Sequence, residues 1–141
     1  MPIDPADVVC ELWRHWRARD KAATLDMVSD DIELVQNVPE DVLPFGGVTR
    51  GKAAASDRLQ MILDQFWTLK FEGEVVSVEG GIVHGLVQFH FRHKATGEDI
   101  QGTMRHRFDV RDGRIVRLAE TVDVDLVRAF MRLVAQAAAR Q

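Results

Sequence analysis

The chain has 141 residues, 46% hydrophobic and 28% charged, a balance that fits one globular domain and excludes a disordered or low-complexity polymer. Its 18 basic and 22 acidic residues leave a net charge of -4, without the basic excess that a nucleic-acid binder shows. The longest run free of Asp, Glu, Lys and Arg is the 12 residues 80–91, short of the roughly 20 that cross a bilayer, so no membrane contact is expected.

Residues 1–7 carry early acids and no basic stretch ahead of an apolar run, unlike a secretory signal, and the single Cys10 can form no internal disulfide. Both features point to a reducing, cytoplasmic setting, with Cys10 as small core filler.

Asp4-Pro5 reads as an N-cap with proline in the first turn, and Val9, Leu12, Trp13 and Trp16 recur at helical spacing, which predicts a helix over 5–19. Asp20 caps a second, shorter helix that runs toward Val28 and ends at Ser29-Asp30-Asp31. A strand over 32–38 follows, then a Pro- and Gly-rich loop over 39–50, long enough to form a rim or lid. Residues 51–67 return to helical spacing through Ala55, Leu59, Ile62, Leu63 and Phe66. Between 69 and 123 lie four β-prone runs separated by the hairpin signals Glu79-Gly80-Gly81, Ala95-Thr96-Gly97 and Arg111-Asp112-Gly113. Asp123 or Asp125 then caps a C-terminal helix whose stripe includes Leu126, Phe130, Leu133, Val134 and Ala137. This order predicts a single α+β domain over 1–141, with helices covering one face of a curved antiparallel sheet.

The last hairpin carries the most chemistry. Met104, His106, Phe108 and Val110 alternate with polar residues, as do Val116, Leu118, Glu120 and Val122, and these two sets form the inward face. A three-residue loop at 111–113, with Gly113 in the left-handed bulge position, sets Phe108 opposite Val116, His106 opposite Leu118 and Met104 opposite Glu120. Glu120 is then a carboxylate on an apolar surface with His106 as its diagonal neighbour. A buried carboxylate is costly unless it is paired, hydrogen-bonded or protonated. Two roles therefore stand open for Glu120: a structural ion pair with His106 or an arginine, or an acid or base with a shifted pKa.

Other constellations are weaker. His84 and His90 are six positions, about 20 Å, apart along one strand, and His90 and His93 point to opposite faces, so no metal site is expected. His15 reads as a surface or boundary residue. Trp13, Trp16 and Trp67 read first as core, while Phe45 in the loop is the better candidate for a pocket rim. Arg105, Arg107 and Arg117 fall on the outward face, where Asp109 or Glu98 can pair with them.

With those residues in place, the chain is similar to the nuclear transport factor 2-like superfamily and, within it, to the SnoaL-like group that contains polyketide cyclases. The resemblance rests on the element order, on Leu43-Pro44-Phe45-Gly46-Gly47-Val48-Thr49-Arg50-Gly51, and on the segment 106–116 leading to Glu120-Thr121-Val122-Asp123. It implies a cone-shaped sheet covered by helices (the cystatin-like fold), a homodimer through the outer sheet face, and a pocket for a small lipophilic molecule without a cofactor. It also implies an acid on the final strand acting as base with a histidine on the preceding strand, places matched by Glu120 and His106, with Glu standing where the group has Asp. Limonene epoxide hydrolase is similar around Val35-Gln36-Asn37-Val38-Pro39, its water-binding asparagine matching Asn37, but Val35 replaces its tyrosine, and Val87 and Phe89 stand where its arginine and second acid fall. Ketosteroid isomerase relies on a tyrosine hydroxyl, and this chain has no tyrosine.

The resulting expectation is a pocket enzyme in which Glu120 removes a proton next to a carbonyl, followed by isomerisation or ring closure. His106 would orient Glu120 or donate to the developing oxyanion, and Asn37 would offer a neutral amide to substrate or water. Val87, Phe89, Met104 and Phe108 would form apolar wall, with Trp16 and Phe45 also contacting the substrate. The alternative is a non-catalytic ligand carrier or interaction module in which Glu120 and His106 form a structural pair.

Overall fold

The structure, a computed structural model, describes residues 3–140. Asp4 Oδ1 accepts from the Ala6 amide at 2.9 Å with Pro5 in the first turn, and α1 spans Pro5–Arg17, two residues shorter than expected because Arg19 takes a left-handed φ of 62°. Asp20 caps α2, Lys21–Asp26, through the Ala23 amide. The next segment corrects the expectation: Ser29-Asp30-Asp31 does not end a helix but lies within strand β1, Val28–Gln36. A short strand absent from the expected order, β2 at Gly47–Arg50, closes the loop onto β1. Then come α3 (Lys52–Gln65), β3 (Phe66–Glu79), β4 (Ile82–His93), β5 (Asp99–Arg111), β6 (Arg114–Thr121) and α4 (Val124–Ala139).

The six strands form one sheet in the order β2-β1-β6-β5-β4-β3. Its pairs are antiparallel except β1 against β6, which run parallel because they are joined by a long crossover rather than a hairpin. Register shifts in β3, in β1 and between β5 and β6 mark bulges, which bend strands and let a sheet this long curl around its contents. The α+β class with helices over a curved sheet is as the sequence predicts.

Asp112 and Gly113 both have positive φ, 51° and 75°, so the last hairpin closes through a two-residue turn of the primed kind, not three residues. An offset between Asp109 and Val110 then leaves Val116 unpaired. The register becomes Phe108 opposite Leu118 and His106 opposite Glu120, replacing the expected diagonal by a direct pair.

Val8, Val9, Leu12 and Trp13 bury the inner face of α1. Cys10 lies on the opposite side of that helix and is exposed, so it is not core filler. On α4 the buried stripe is Val127, Phe130 and Val134, while Leu126 and Leu133, a turn-face away, remain exposed. Trp67 is also outside the core, half exposed with Lys94 Nζ 3.9 Å from its ring centre and the Arg19 guanidinium carbon 5.2 Å away. Arg117 pairs with Glu33 at 3.0 Å and Arg107 with Asp109 at 3.3 Å on the outward face. Among the described residues no helix is long and apolar enough to cross a membrane.

Candidate functional site

Four residues on neighbouring strands stand in one row across the sheet: Gln36 on β1 is opposite Glu120 on β6, Glu120 is opposite His106 on β5, and His106 is opposite Gly85 on β4. The alternation of each strand turns this row inward, beneath α1 and α3. Above it lies a cavity of about 160 Å³ whose lining includes Gln36, Glu120 and His106. The rest of the wall is apolar apart from Thr24 and Arg58.

Arg58 arrives from α3. It follows Ala55 by three residues and precedes Ile62 by four, so it shares the buried stripe and is only 4% exposed. Its Nη1 reaches Thr49 Oγ1 at 3.4 Å, and its Nη2 lies 3.7 Å from Glu120 Oε1. His106 Nε2 lies 3.9 Å from Glu120 Oε2. Arg58 holds the carboxylate electrostatically, yet neither approach is short enough to be a hydrogen bond. Among the described residues no hydrogen bond reaches the Glu120 carboxylate, which keeps its lone pairs available.

His106 is 4% exposed. Burial pushes its pKa below the ordinary histidine value, and the Glu120 charge offsets that only in part. With the imidazole neutral, the contact to Glu120 is not an ion pair. The Trp13 indole Nε1 donates to His106 Nδ1 at 3.1 Å, while His106 Nε2 is buried without a partner. Gln36 Oε1 is likewise buried without a partner, so two unmatched polar atoms flank Glu120 on either side of the row. Unmatched buried groups are rare in native interiors, and beside a cavity they mark where a ligand can supply the missing partner.

The expected site residues separate into two groups. Glu120, His106, Trp16, Phe45, Phe89 and Met104 all reach the cavity wall. Phe45 is buried there, edge-on to Phe66 at 6.1 Å between ring centres. Val87 and Phe108 are fully buried but lie outside the lining, Phe108 packing edge-on against His106 and Trp13. Asn37 does not face the cavity: it is exposed, its Nδ2 donates to the Val122 carbonyl at 2.8 Å, and its Oδ1 accepts from the Val122 amide at 3.0 Å. The neutral amide in the cavity belongs to Gln36, one position earlier.

Sequence reasoning missed Gln36, Arg58 and the contact from Trp13 to His106. The signal for Gln36 was present, since Ile32, Leu34 and Gln36 share the parity of the inward face of β1. The signal for Arg58 was its place on the stripe of Ala55 and Ile62. Among the described residues no three His, Cys, Asp or Glu side chains are grouped to hold a metal ion.

A family model described as a SnoaL-like domain matches residues 9–118. No curated protein matches the chain. Among solved structures, a proposed isomerase from Rhodopseudomonas palustris superposes with a TM-score of 0.79 at 21% identity, covering 95% of this chain and 99% of its own. A proposed polyketide cyclase from Xanthomonas campestris pv. campestris gives 0.73 at 20% identity, with 90% and 96% covered. TerC, co-crystallised with polyporic acid, gives 0.75 at 17% identity, with 91% and 98% covered. At such identities the shared property is the fold.

Proposed function

Because the chain belongs to the SnoaL-like domain family and carries its nuclear transport factor 2-like fold, we propose that its cavity binds a small lipophilic carbonyl compound and isomerises or cyclises it by cofactor-independent acid/base chemistry. The observation that supports this most is the unbonded Glu120 carboxylate at an apolar cavity, facing His106 in register. In this reading Glu120 takes a proton from the carbon next to the carbonyl, the C–H electron pair moves into an enolate, and His106 Nε2 donates to the oxygen where negative charge collects. The enolate then takes a proton at another carbon, which is isomerisation, or attacks a second carbonyl, which closes a ring.

The size of the cavity narrows the ligand. Engineered apolar cavities of about 150 Å³ hold one benzene ring, whereas drug-sized pockets run to roughly 300–1,000 Å³. At about 160 Å³ the space suits a single-ring or open-chain substrate.

The test is exchange of carbon-bound protons for solvent deuterium in a panel of cyclic enones and hydroxyquinones, followed by NMR. The wild-type protein should accelerate exchange in at least one member, and Glu120→Gln should lower that rate by about 10²- to 10⁴-fold while remaining folded. Equal rates in the two proteins would remove Glu120 as the base. The Arg58–Glu120 contact favours a second reading, a ligand carrier in which Glu120 is structural. A carrier raises the thermal midpoint with several ligands and exchanges none of them, and Glu120→Gln then costs stability instead.

The proposal includes a homodimer through the outer face of the sheet, where Leu86, paired with the outward Arg105, is exposed. Light scattering should return twice the chain mass, and the mass of a single chain at micromolar concentration would refute the dimer.

A further inference from the structure

We infer that Trp13 is a positioning residue that holds His106 in its neutral Nε2–H tautomer, so that His106 presents only a hydrogen-bond donor to the cavity and its ligand must place an acceptor oxygen there. An indole nitrogen has one N–H and no lone pair to offer, so whatever it bonds to must accept. Here the acceptor is His106 Nδ1 at 3.1 Å. An accepting Nδ1 carries no proton, which leaves the ring proton on Nε2, the nitrogen buried without a partner beside Glu120. Imidazolium, protonated at both nitrogens, would set N–H against N–H and lose the Trp13 contact.

The sheet is built to admit this indole. A Cβ on Gly85 would lie 2.5 and 2.7 Å from Trp13 ring atoms, and one on Gly73 would overlap the same ring more closely still. Gly85 is also the cross-strand partner of His106, so the glycine that makes room for Trp13 sits beside the histidine that Trp13 bonds. Trp13 itself is 6% exposed, with Phe108 edge-on to it at 5.8 Å. Two glycines on adjacent strands, a buried aromatic donor from α1 and an accepting nitrogen on β5 form one arrangement.

The charged groups lining the cavity near His106 are Glu120 from β6 and Arg58 from α3, while Trp13 on α1, Phe71 on β3 and Gly85 on β4 bring no titratable group. Arg58 and Glu120 balance each other. A donor-only His106 then leaves Glu120 as the only base in the row, and it selects a ligand with a carbonyl or ether oxygen over one that presents an ammonium or amide N–H at Nε2.

This deepens the proposed chemistry, but its test needs no substrate, so the two can fail separately. The ring nitrogens of His106 are assigned by long-range ¹⁵N NMR in the wild-type protein at pH 7, together with the coupling across the hydrogen bond between Trp13 Nε1 and His106 Nδ1. The expected result is a protonated Nε2, a bare Nδ1 and a measurable coupling. A protonated Nδ1, a charged ring or no coupling overturns the inference, whatever any variant does. In Trp13→Phe, which keeps an aromatic ring but has no donor, His106 should populate both tautomers and its titration midpoint should rise. An unchanged tautomer and midpoint in a folded Trp13→Phe protein would deny Trp13 its role. Trp13→Phe should also lower exchange in the proton-exchange assay without abolishing it, because the base remains.

Discussion

Asn37 separates what resemblance supplies from what side-chain parity supplies. It stands next to Gln36, and adjacent residues on a strand face opposite ways, so only one of the two can reach the cavity. Gln36 does, while Asn37 grips both backbone groups of Val122 and ties the end of β1 to the residue after β6. Each such hydrogen bond contributes about 1 kcal/mol net, so Asn37→Ala should destabilise the fold by about 2 kcal/mol. Urea unfolding should show the change in the midpoint with an unaltered slope. A stable Asn37→Ala protein that has lost proton exchange would return Asn37 to the site. Glu120 and His106 were legible because each breaks an otherwise apolar alternation. Arg58 was harder to read, since a charged residue on a helical stripe is ordinarily assigned to solvent and its burial becomes visible only with Glu120 opposite.

At the scale of elements, the last hairpin shows why the faces could be read and the register could not. Inward and outward assignment depends on whether the pairing is offset by an odd or even number of residues. The expected three-residue loop and the observed two-residue turn with a bulge differ by a full two-residue repeat, so both turn Met104, His106, Leu118 and Glu120 inward. The two-residue turn moves the partner of His106 from Leu118 to Ala119 and the bulge at Val116 moves it on to Glu120, and nothing local to 114–117 announces that bulge. The short strand β2 was unreadable for a different reason. Its four residues alternate between half-buried and exposed and include no core residue, so no apolar period exists to detect. It forms by pairing with β1, and its Thr49 then meets Arg58. The α4 stripe was ambiguous because Leu133 and Val134 are adjacent, and helical spacing alone admits either as the buried member.

For the whole molecule, the row of polar groups has a consequence for stability against pH. Burial lowers the pKa of His106 in the folded protein, while the unfolded chain takes up its proton near the ordinary value of 6.5. As pH falls below about 6.5 the unfolded state therefore binds a proton that the folded state refuses, and stability declines until the lower folded pKa is reached. The largest slope one such group can produce is about 1.4 kcal/mol per pH unit. His93 is also lowered by burial and acts with the same sign, so His93→Gln is the background in which His106 is seen alone. Asp99 acts elsewhere: Arg92, aided by His90, holds its carboxyl at about 2, so its stabilisation is complete above 3.8 and is lost only as pH falls from there toward 2. Denaturant midpoints of His93→Gln at pH 7.5, 6.5 and 5.5 should therefore decrease steadily, before Asp99 contributes and before Glu33, whose carboxyl Arg117 and Arg50 hold below its ordinary 4.5, begins to do so. A flat profile across that range would mean that the folded protein accommodates a charged His106. The neutral ring, its bond from Trp13 and the donor it presents to the cavity would then have to be given up together.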